Sequence, residues 1–128
     1  MPQSKHILGR TGESVALAHL ESLGYRVLTT NYRCPVGEAD IVALDGGILV
    51  FVEVKTRSLS SRGETSFGEP AERVDSRKMA RLRAVASHYV LTHYPRAKDG
   101  DVSIRFDVVC VIRSPRGFSV DVIRGVSA

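Results

Sequence analysis

The sequence has little cysteine and none of the common motifs for a bound metal or a nucleophile. It contains no Cys-x-x-Cys, His-Glu-x-x-His or Gly-x-Ser-x-Gly motif and no phosphate-binding glycine loop. Cys34 and Cys110 are not spaced as a disulfide framework, and we expect both to be reduced, with Cys110 in the core. The histidines show no metal-ligand spacing and are interpreted as surface or capping residues: His6, His19, His88 and His93.

Long apolar runs are also missing. There is no stretch of 18 or more apolar residues and no apolar segment near the N-terminus, which argues against a membrane span and a signal peptide. With 128 residues, 43% of them hydrophobic and 25% charged, the chain has the composition of one globular domain with a core. Reduced cysteines then predict a cytoplasmic protein.

The positive charge is concentrated in one segment. The net charge is +4, and residues 55–83 carry eight basic and four acidic side chains, so all of the excess lies there. Fourteen of the 18 basic residues are arginine, which suits bidentate phosphate contacts. A polyanion such as nucleic acid is the expected partner, and the alternative is an ordinary solvated charged face.

Two apolar strands, 38–44 and 48–56, are separated by Asp45-Gly46-Gly47, a strong hairpin signal. If Gly46-Gly47 is the loop, Asp40 lies directly across from Glu53. If Asp45-Gly46 is the loop, Glu38 faces Glu53 and Asp40 is the diagonal neighbour. A three-residue loop would separate Asp40 from Glu53. Both two-residue loops bring carboxylates together.

The paired acids predict a cation site. Carboxylates about 5 Å apart on neighbouring strands repel by roughly 3 kcal/mol at an effective dielectric constant of about 20. A divalent cation would reverse that penalty, and oxygen ligands suit Mg²⁺ or Mn²⁺. Lys55 projects from the same face as Glu53 and could stabilise developing negative charge or orient a water. The alternative is a structural Glu53–Lys55 pair.

Periodicity predicts the other elements. A helix is expected from Thr11, its N-cap, to Leu23, with Gly24 placed to end it. A second helix is expected to run from Ser76, its N-cap, to about Tyr89. Further strands are expected at 25–32, 102–113 and 118–124, with an ion pair between Arg105 and Asp107. Residues 1–8 are expected to form a flexible tail and 57–69 a mobile loop. The order α-β-β-β-α-β-β predicts an α/β fold in which helices pack against a central mixed sheet.

The start of the second predicted helix carries cations. Arg77, Lys78 and Arg81 fall on a different side from its apolar stripe. Cations in a first turn oppose the helix dipole, so a bound phosphate would explain their position.

Several short motifs together resemble the bacterial YraN family. They are Gly9-x-x-Gly12-Glu13, Gly24-Tyr25, Asn31-Tyr32, Gly37-Glu38-x-Asp40, Phe51-Val52-Glu53-Val54-Lys55-x-Arg57, Phe67-Gly68, Val74-Asp75 with Lys78, and Arg105-Phe106-Asp107. The match runs from about Gly9 to Asp107.

The resemblance implies a restriction-endonuclease-like fold, close to archaeal Holliday junction resolvases, with a metal-dependent core of the PD-(D/E)xK kind. Asp40 and Glu53 would hold the metal and Lys55 would assist the attacking water. Glu13 resembles the additional acid of the resolvase-like branch. Ala39 stands where the superfamily pattern has proline. Kinship with resolvases also implies a homodimer.

These features together predict a single nuclease-like domain over residues 1–128. Its expected activity is metal-dependent cleavage of DNA, including branched or structured DNA, and DNA is favoured over RNA. Phosphate contacts are expected from five basic residues of the charged segment: Arg57, Arg62, Arg77, Lys78 and Arg81. The alternative function is a nucleic-acid-binding module without catalysis.

Overall fold

The computed structural model describes residues 12–58, 75–98 and 100–127. They form two helices and five strands, in the predicted order. The elements are α1 (Gly12–Ser22), β1 (Arg26–Cys34), β2 (Gly37–Asp45), β3 (Ile48–Ser58), α2 (Ser76–His93), β4 (Ser103–Ser114) and β5 (Gly117–Ile123). The expected tail at 1–8, the Thr11 cap, Arg62 and the loop from residue 59 onward lie outside the described residues.

The strands form one mixed sheet in the order β1-β2-β3-β4-β5. Neighbouring strands are antiparallel except β3 and β4, which are parallel. A parallel pair needs a crossover connection, and α2 lies in the segment that joins β3 to β4. The predicted α/β architecture with a central mixed sheet is therefore confirmed.

The two helices cover opposite faces of the sheet. On one face, Val15, Ala16 and Leu20 of α1 pack with Val50 and Val52 of β3. On the other face, α2 packs against the alternate side chains of the same strand. This second cluster includes Leu49, Phe51, Val85, Ala86 and Tyr89. Since β3 is covered on both faces, it is apolar almost throughout, and its charged residues gather at its C-terminal end.

Glycines allow α1 to end and to approach the sheet closely. Gly24 has a φ of +94°, a left-handed conformation that ends a helix, as predicted. At the other end, a Cβ on Gly12 would lie 1.8 Å from Oγ1 of Thr56 in β3. Only glycine therefore lets the N-terminus of α1 approach the end of β3 this closely.

The start and end of α2 differ from the prediction. The N-cap is Asp75, not Ser76, and its carboxylate accepts a hydrogen bond of 2.8 Å from the backbone N–H of Lys78. The helix continues past Tyr89 to His93. Asp75 also places a negative charge at the positive end of the helix dipole, which partly offsets the cations of the first turn.

The expectation that residues 57–69 form a loop is wrong at its start. Arg57 and Ser58 belong to β3, where they pair with Ile112 and Arg113 of β4. The long parallel pairing extends the strand beyond the point where local composition predicted a loop.

A buried polar network joins the sheet to the C-terminal segment on the α1 face. Asp107 is almost fully buried and accepts hydrogen bonds of 2.8 Å from Tyr25 and from Arg105. Arg105 also bonds to Asp45 at 2.8 Å, and Gly125 N–H donates to Asp107 at 3.1 Å. The predicted ion pair between Arg105 and Asp107 is confirmed, and the carboxylate is fully engaged in holding the fold.

Both cysteines are free thiols, and Cys110 is buried, as predicted. No helix in the described part of the chain is both long and apolar enough to cross a membrane.

Replacing Gly12 should test the close packing of α1 on β3. We expect Gly12→Ala to lower the free energy of unfolding by about 1–3 kcal/mol, because the new methyl group would overlap Thr56. Adding Thr56→Ala should recover much of the loss, since it removes the nearest atom. Gly47→Ala is the control, because a Cβ there meets no atom within 4 Å. Equal effects of Gly12→Ala and Gly47→Ala in urea unfolding would contradict the packing.

Candidate metal and nucleic-acid site

The β2–β3 hairpin sets the position of the candidate acids. Its paired residues run from Asp45 and Ile48 to Ile41 and Val52. This register confirms the Gly46-Gly47 loop, and the registers that would place Glu38 opposite Glu53 or separate Asp40 from it are wrong. The next positions in the same register are Asp40 and Glu53, so both carboxylates lie where the ladder between the strands ends.

The Asp40 side chain bridges the two strands at this point. Its Oδ2 atom accepts a hydrogen bond of 2.7 Å from the backbone N–H of Val54 in β3. A side-chain carboxylate thus takes the place of a backbone acceptor, beyond the last paired residues of the hairpin. The bond fixes one oxygen of Asp40 beside the residue that follows Glu53.

Glu53 is a buried carboxylate with an incomplete set of partners. The residue is 9% exposed, and its Oε2 atom is 2.5 Å from Nζ of Lys78 in α2. Beyond this ion contact, Oε2 is buried without a hydrogen-bond partner within the described residues. A buried anion in this state is costly unless another cation or donor completes its surroundings.

Glu13 is held near the site by a strained residue. Its Oε1 atom accepts a hydrogen bond of 2.9 Å from Nδ2 of Asn31 in β1. Asn31 has a φ of +52°, and within the described residues it is the only non-glycine residue with a positive φ. Asparagine tolerates this left-handed conformation better than most residues do. The backbone of β1 therefore aims an amide at the first turn of α1.

Burial raises the pKa of the Asp40 carboxyl above its ordinary value of 3.8. The hydrogen bond from Val54 acts in the opposite direction and lowers the pKa. The negative charges of Glu53, Glu13 and Glu38 add to the upward shift. The three acids are thus close enough to Asp40 to disfavour its charged form.

A cleft of about 860 Å³ opens over these acids. Five basic and three acidic side chains line it: Arg33, Lys55, Arg57, Lys78 and Arg81, with Glu38, Asp40 and Glu53. Gly37 brings α2 close to the start of β2, since a Cβ there would lie 3.1 Å from both Arg81 and Val85. The helix that carries Lys78 and Arg81 therefore forms one wall of the cleft.

The structure brings most, but not all, of the predicted site residues together. Asp40, Glu53 and Lys55 share the cleft, and so do Arg57, Lys78 and Arg81. Glu13 and Arg77 are described by the structure but do not line the cleft. The charge of Glu13 raises the pKa of Asp40, and the Glu13 side chain is held by a hydrogen bond from Asn31.

The four described basic residues among those predicted to bind nucleic acid differ in accessibility. Arg77, Lys78 and Arg81 are exposed on α2, whereas Arg57 is only 8% exposed. A buried guanidinium can contact a ligand only at the floor of the cleft.

The sequence analysis missed Arg33, which lines the cleft, and Asn31, which holds Glu13. Arg33 lies opposite Glu38 across the β1–β2 hairpin, and their side chains form an ion pair of 3.2 Å. The ion pair could have been predicted from the sequence, because a two-residue Pro35-Val36 loop places Arg33 across from Glu38. Asn31 could have been found only as a residue type suited to positive φ, which is a weak signal.

The donor set fits a divalent cation with few protein ligands. Across the described ranges, no group of three or more His, Cys, Asp or Glu side chains converges closely enough to hold a metal ion. Mg²⁺, however, commonly binds through one or two carboxylates and keeps waters or substrate phosphates as its other ligands. Asp40 and Oε2 of Glu53 meet that requirement, provided that Lys78 gives up its contact with Oε2.

Neutralising Asp40 should stabilise the free protein at neutral pH. Because the folded-state pKa is raised, the folded state binds more protons than the unfolded state between pH 3.8 and the folded pKa. Stability therefore falls as the pH rises through this window, and the full penalty is present above it.

We expect Asp40→Asn to raise the free energy of unfolding at pH 7, because the neutral amide avoids the cost of burying a charge and the repulsion from neighbouring acids. The gain should vanish at pH 3. Asp121→Asn, an exposed substitution of the same charge, should change little. Urea unfolding at both pH values measures the effect, and a loss of stability at pH 7 would contradict the account.

Comparison with known proteins gives a consistent family. Residues 12–111 match the model described as "Uncharacterised protein family UPF0102". A UPF0102 protein of Moorella thermoacetica is 44% identical over 127 residues, which cover 98% of each chain. One from Frankia alni is 47% identical over 124 residues, or 96% of each chain. The chain therefore belongs to the UPF0102 family, which agrees with the family resemblance that its motifs indicated.

Proposed function

We propose that this protein is a metal-dependent nuclease of the PD-(D/E)xK type with a restriction-endonuclease-like fold. The observation that carries the proposal is a pair of carboxylates at the end of the hairpin ladder. Glu53 is buried, and in the described residues its Oε2 atom has only the ion contact with Lys78, while Asp40 lies opposite it in the same register. Acidic side chains scattered over a solvated surface would not place two carboxylates opposite each other on neighbouring strands. A fully satisfied structural carboxylate looks different, as Asp107 shows with its complete set of donors.

The residues around the pair have separate roles in phosphodiester hydrolysis. A bound Mg²⁺ or Mn²⁺ would polarise the phosphate and activate a water. Asp40 and Glu53 would hold the ion, and Asn31 would keep Glu13 oriented nearby. Lys55 shares the face of Glu53 and lines the cleft, so its ammonium can stabilise the charge that develops on the phosphate oxygens.

The basic walls of the cleft support nucleic acid as the substrate. Five basic side chains surround three acids there, so a polyanion is attracted even before a cation binds. Arg81 and Lys78 would contact the backbone from α2, Arg57 from the floor of the cleft, and Arg77 from the exposed start of the helix. Arg62 belongs to the same proposal by its place in the basic segment. The family resemblance favours DNA, in particular branched or structured DNA, and a homodimer.

A cytoplasmic site of action is part of the proposal. The free thiols of Cys34 and Cys110 support it, because such thiols persist in a reducing compartment.

A nucleic-acid-binding module without catalysis is the second candidate. One observation favours it: in the described ranges no three potential ligands converge on one point. In that case no cation replaces Lys78 at Glu53, and the cleft binds phosphates through its basic residues alone.

Cleavage of a panel of labelled DNAs and RNAs, including a four-way junction, tests the proposal. With Mn²⁺ present, the wild type should cleave at least one DNA. Glu53→Gln and Lys55→Ala should lower the rate at least about 100-fold, because they remove a ligand of the ion or a charge that stabilises the transition state. Binding to uncleaved substrate should be largely retained.

Glu21→Gln is the matched control, because Glu21 is an exposed acid of α1 outside the cleft. It should cleave as the wild type does. Cleavage that persists in purified Glu53→Gln would exclude this site. Binding without cleavage by the wild type, with or without Mn²⁺, would favour the binding module.

A further inference from the structure

The ion contact between Lys78 and Glu53 joins the two halves of the cleft. Glu53 lies near the end of β3, and Lys78 lies in the first turn of α2. The Lys78 side chain is 45% exposed, whereas that of Glu53 is 11% exposed. The contact therefore draws a side chain with access to solvent onto a buried carboxylate.

The same carboxylate oxygen cannot serve Lys78 and a divalent cation equally well. Oε2 has no hydrogen bond among the described residues, and Lys78 is the cation in contact with it. A cation bound by Asp40 and Glu53 would stand close to the ammonium and repel it. Binding of the cation and retention of the contact are thus opposed.

We propose that Lys78 takes the place of the divalent cation at Glu53 in the free protein and turns to a substrate phosphate when the cation binds. The inference rests on the proposed function, since it assigns Lys78 a changing role at the same site. In the free protein Lys78 offsets the charge of Glu53. In the loaded protein it is a positioning residue for the nucleic-acid backbone.

The structure allows this exchange without movement of the backbone. The N–H of Lys78 is fixed by the Asp75 cap at 2.8 Å, so the start of α2 stays in place. The side chain has a flexible four-carbon stem and lines the same cleft as Arg81. A released ammonium therefore stays within reach of a phosphate that contacts Arg81.

The exchange has a thermodynamic consequence. In the free protein Lys78 competes with the cation, so it lowers the affinity of the site for Mg²⁺ or Mn²⁺. Once the cation is bound, the released ammonium adds to phosphate binding. Because linkage is reciprocal, the cation and the phosphate should each strengthen the binding of the other.

Calorimetric titration of Mn²⁺ into the nucleic-acid-free protein tests the competition without any cleavage assay. Lys78→Gln should bind Mn²⁺ roughly three- to tenfold more tightly than the wild type, because the competing ion contact is gone. Arg83→Gln is the charge-matched control, because Arg83 is an exposed residue of the same helix outside the cleft, and it should change the affinity less than about twofold. Glu53→Gln should weaken binding at least about tenfold and thereby locate the ion.

A second measurement follows the ammonium itself. The ¹⁵Nζ signal of Lys78, assigned by its loss in Lys78→Gln, should move toward that of solvent-exposed lysines when Mg²⁺ is added. This measurement is made on the wild type, and Lys78→Gln is needed only to assign the signal. An unchanged signal at saturating Mg²⁺ would overturn the exchange.

The outcomes separate the inference from the proposed function. Equal gains in Lys78→Gln and Arg83→Gln, with binding still dependent on Glu53, would overturn the competition and leave the nuclease proposal standing. Absence of Mn²⁺ binding in both the wild type and Lys78→Gln, or binding that ignores Glu53, would overturn both.

Discussion

Burial of Glu53 is the constraint on which the site depends. The strand that carries it is covered on both faces, and the residue is only 9% exposed. An uncompensated carboxylate there would be strongly destabilising. The free protein meets this constraint with Lys78 from α2, across the cleft. The position of α2 and the charge of the cleft are thus tied to one buried acid.

The buried acids on the two faces of the sheet differ in how completely they are hydrogen-bonded. On the α1 face, Asp107 is saturated by Tyr25, Arg105 and a backbone N–H, and this network anchors the C-terminal segment. On the α2 face, Glu53 keeps an oxygen without a hydrogen bond in the described part of the chain. A carboxylate whose oxygens are all hydrogen-bonded cannot bind a further ligand, whereas a carboxylate with an oxygen that lacks a hydrogen bond can. This contrast is why Glu53, and not Asp107, is assigned to the site.

Much of this arrangement could be predicted because it is local. The Asp45-Gly46-Gly47 turn between two apolar strands limited the hairpin to three registers, and one of them is observed. The ion pair between Arg105 and Asp107 followed from side chains two residues apart on one strand. The α2 cap was misplaced by one residue because Asp75 and Ser76 both suit an N-cap.

The unpredicted features depend on contacts between distant parts of the chain. The pairing of β3 with β4 extends β3 to Ser58, although the composition after Lys55 resembles a loop. The contact of Lys78 with Glu53 depends on where the crossover places α2, and no local pattern specifies that. Asn31 holds Glu13 from a strained position in β1. Such tertiary contacts decide which predicted residues meet.

The central claim is that Asp40 and Glu53 together hold a divalent cation. Anomalous diffraction from crystals grown with Mn²⁺ tests it most directly, because the ion is located independently of any activity. The account predicts an anomalous peak in contact with oxygens of both carboxylates, with Nζ of Lys78 no longer beside Glu53. Absence of a peak there, with the Lys78–Glu53 contact intact at saturating Mn²⁺, would contradict it.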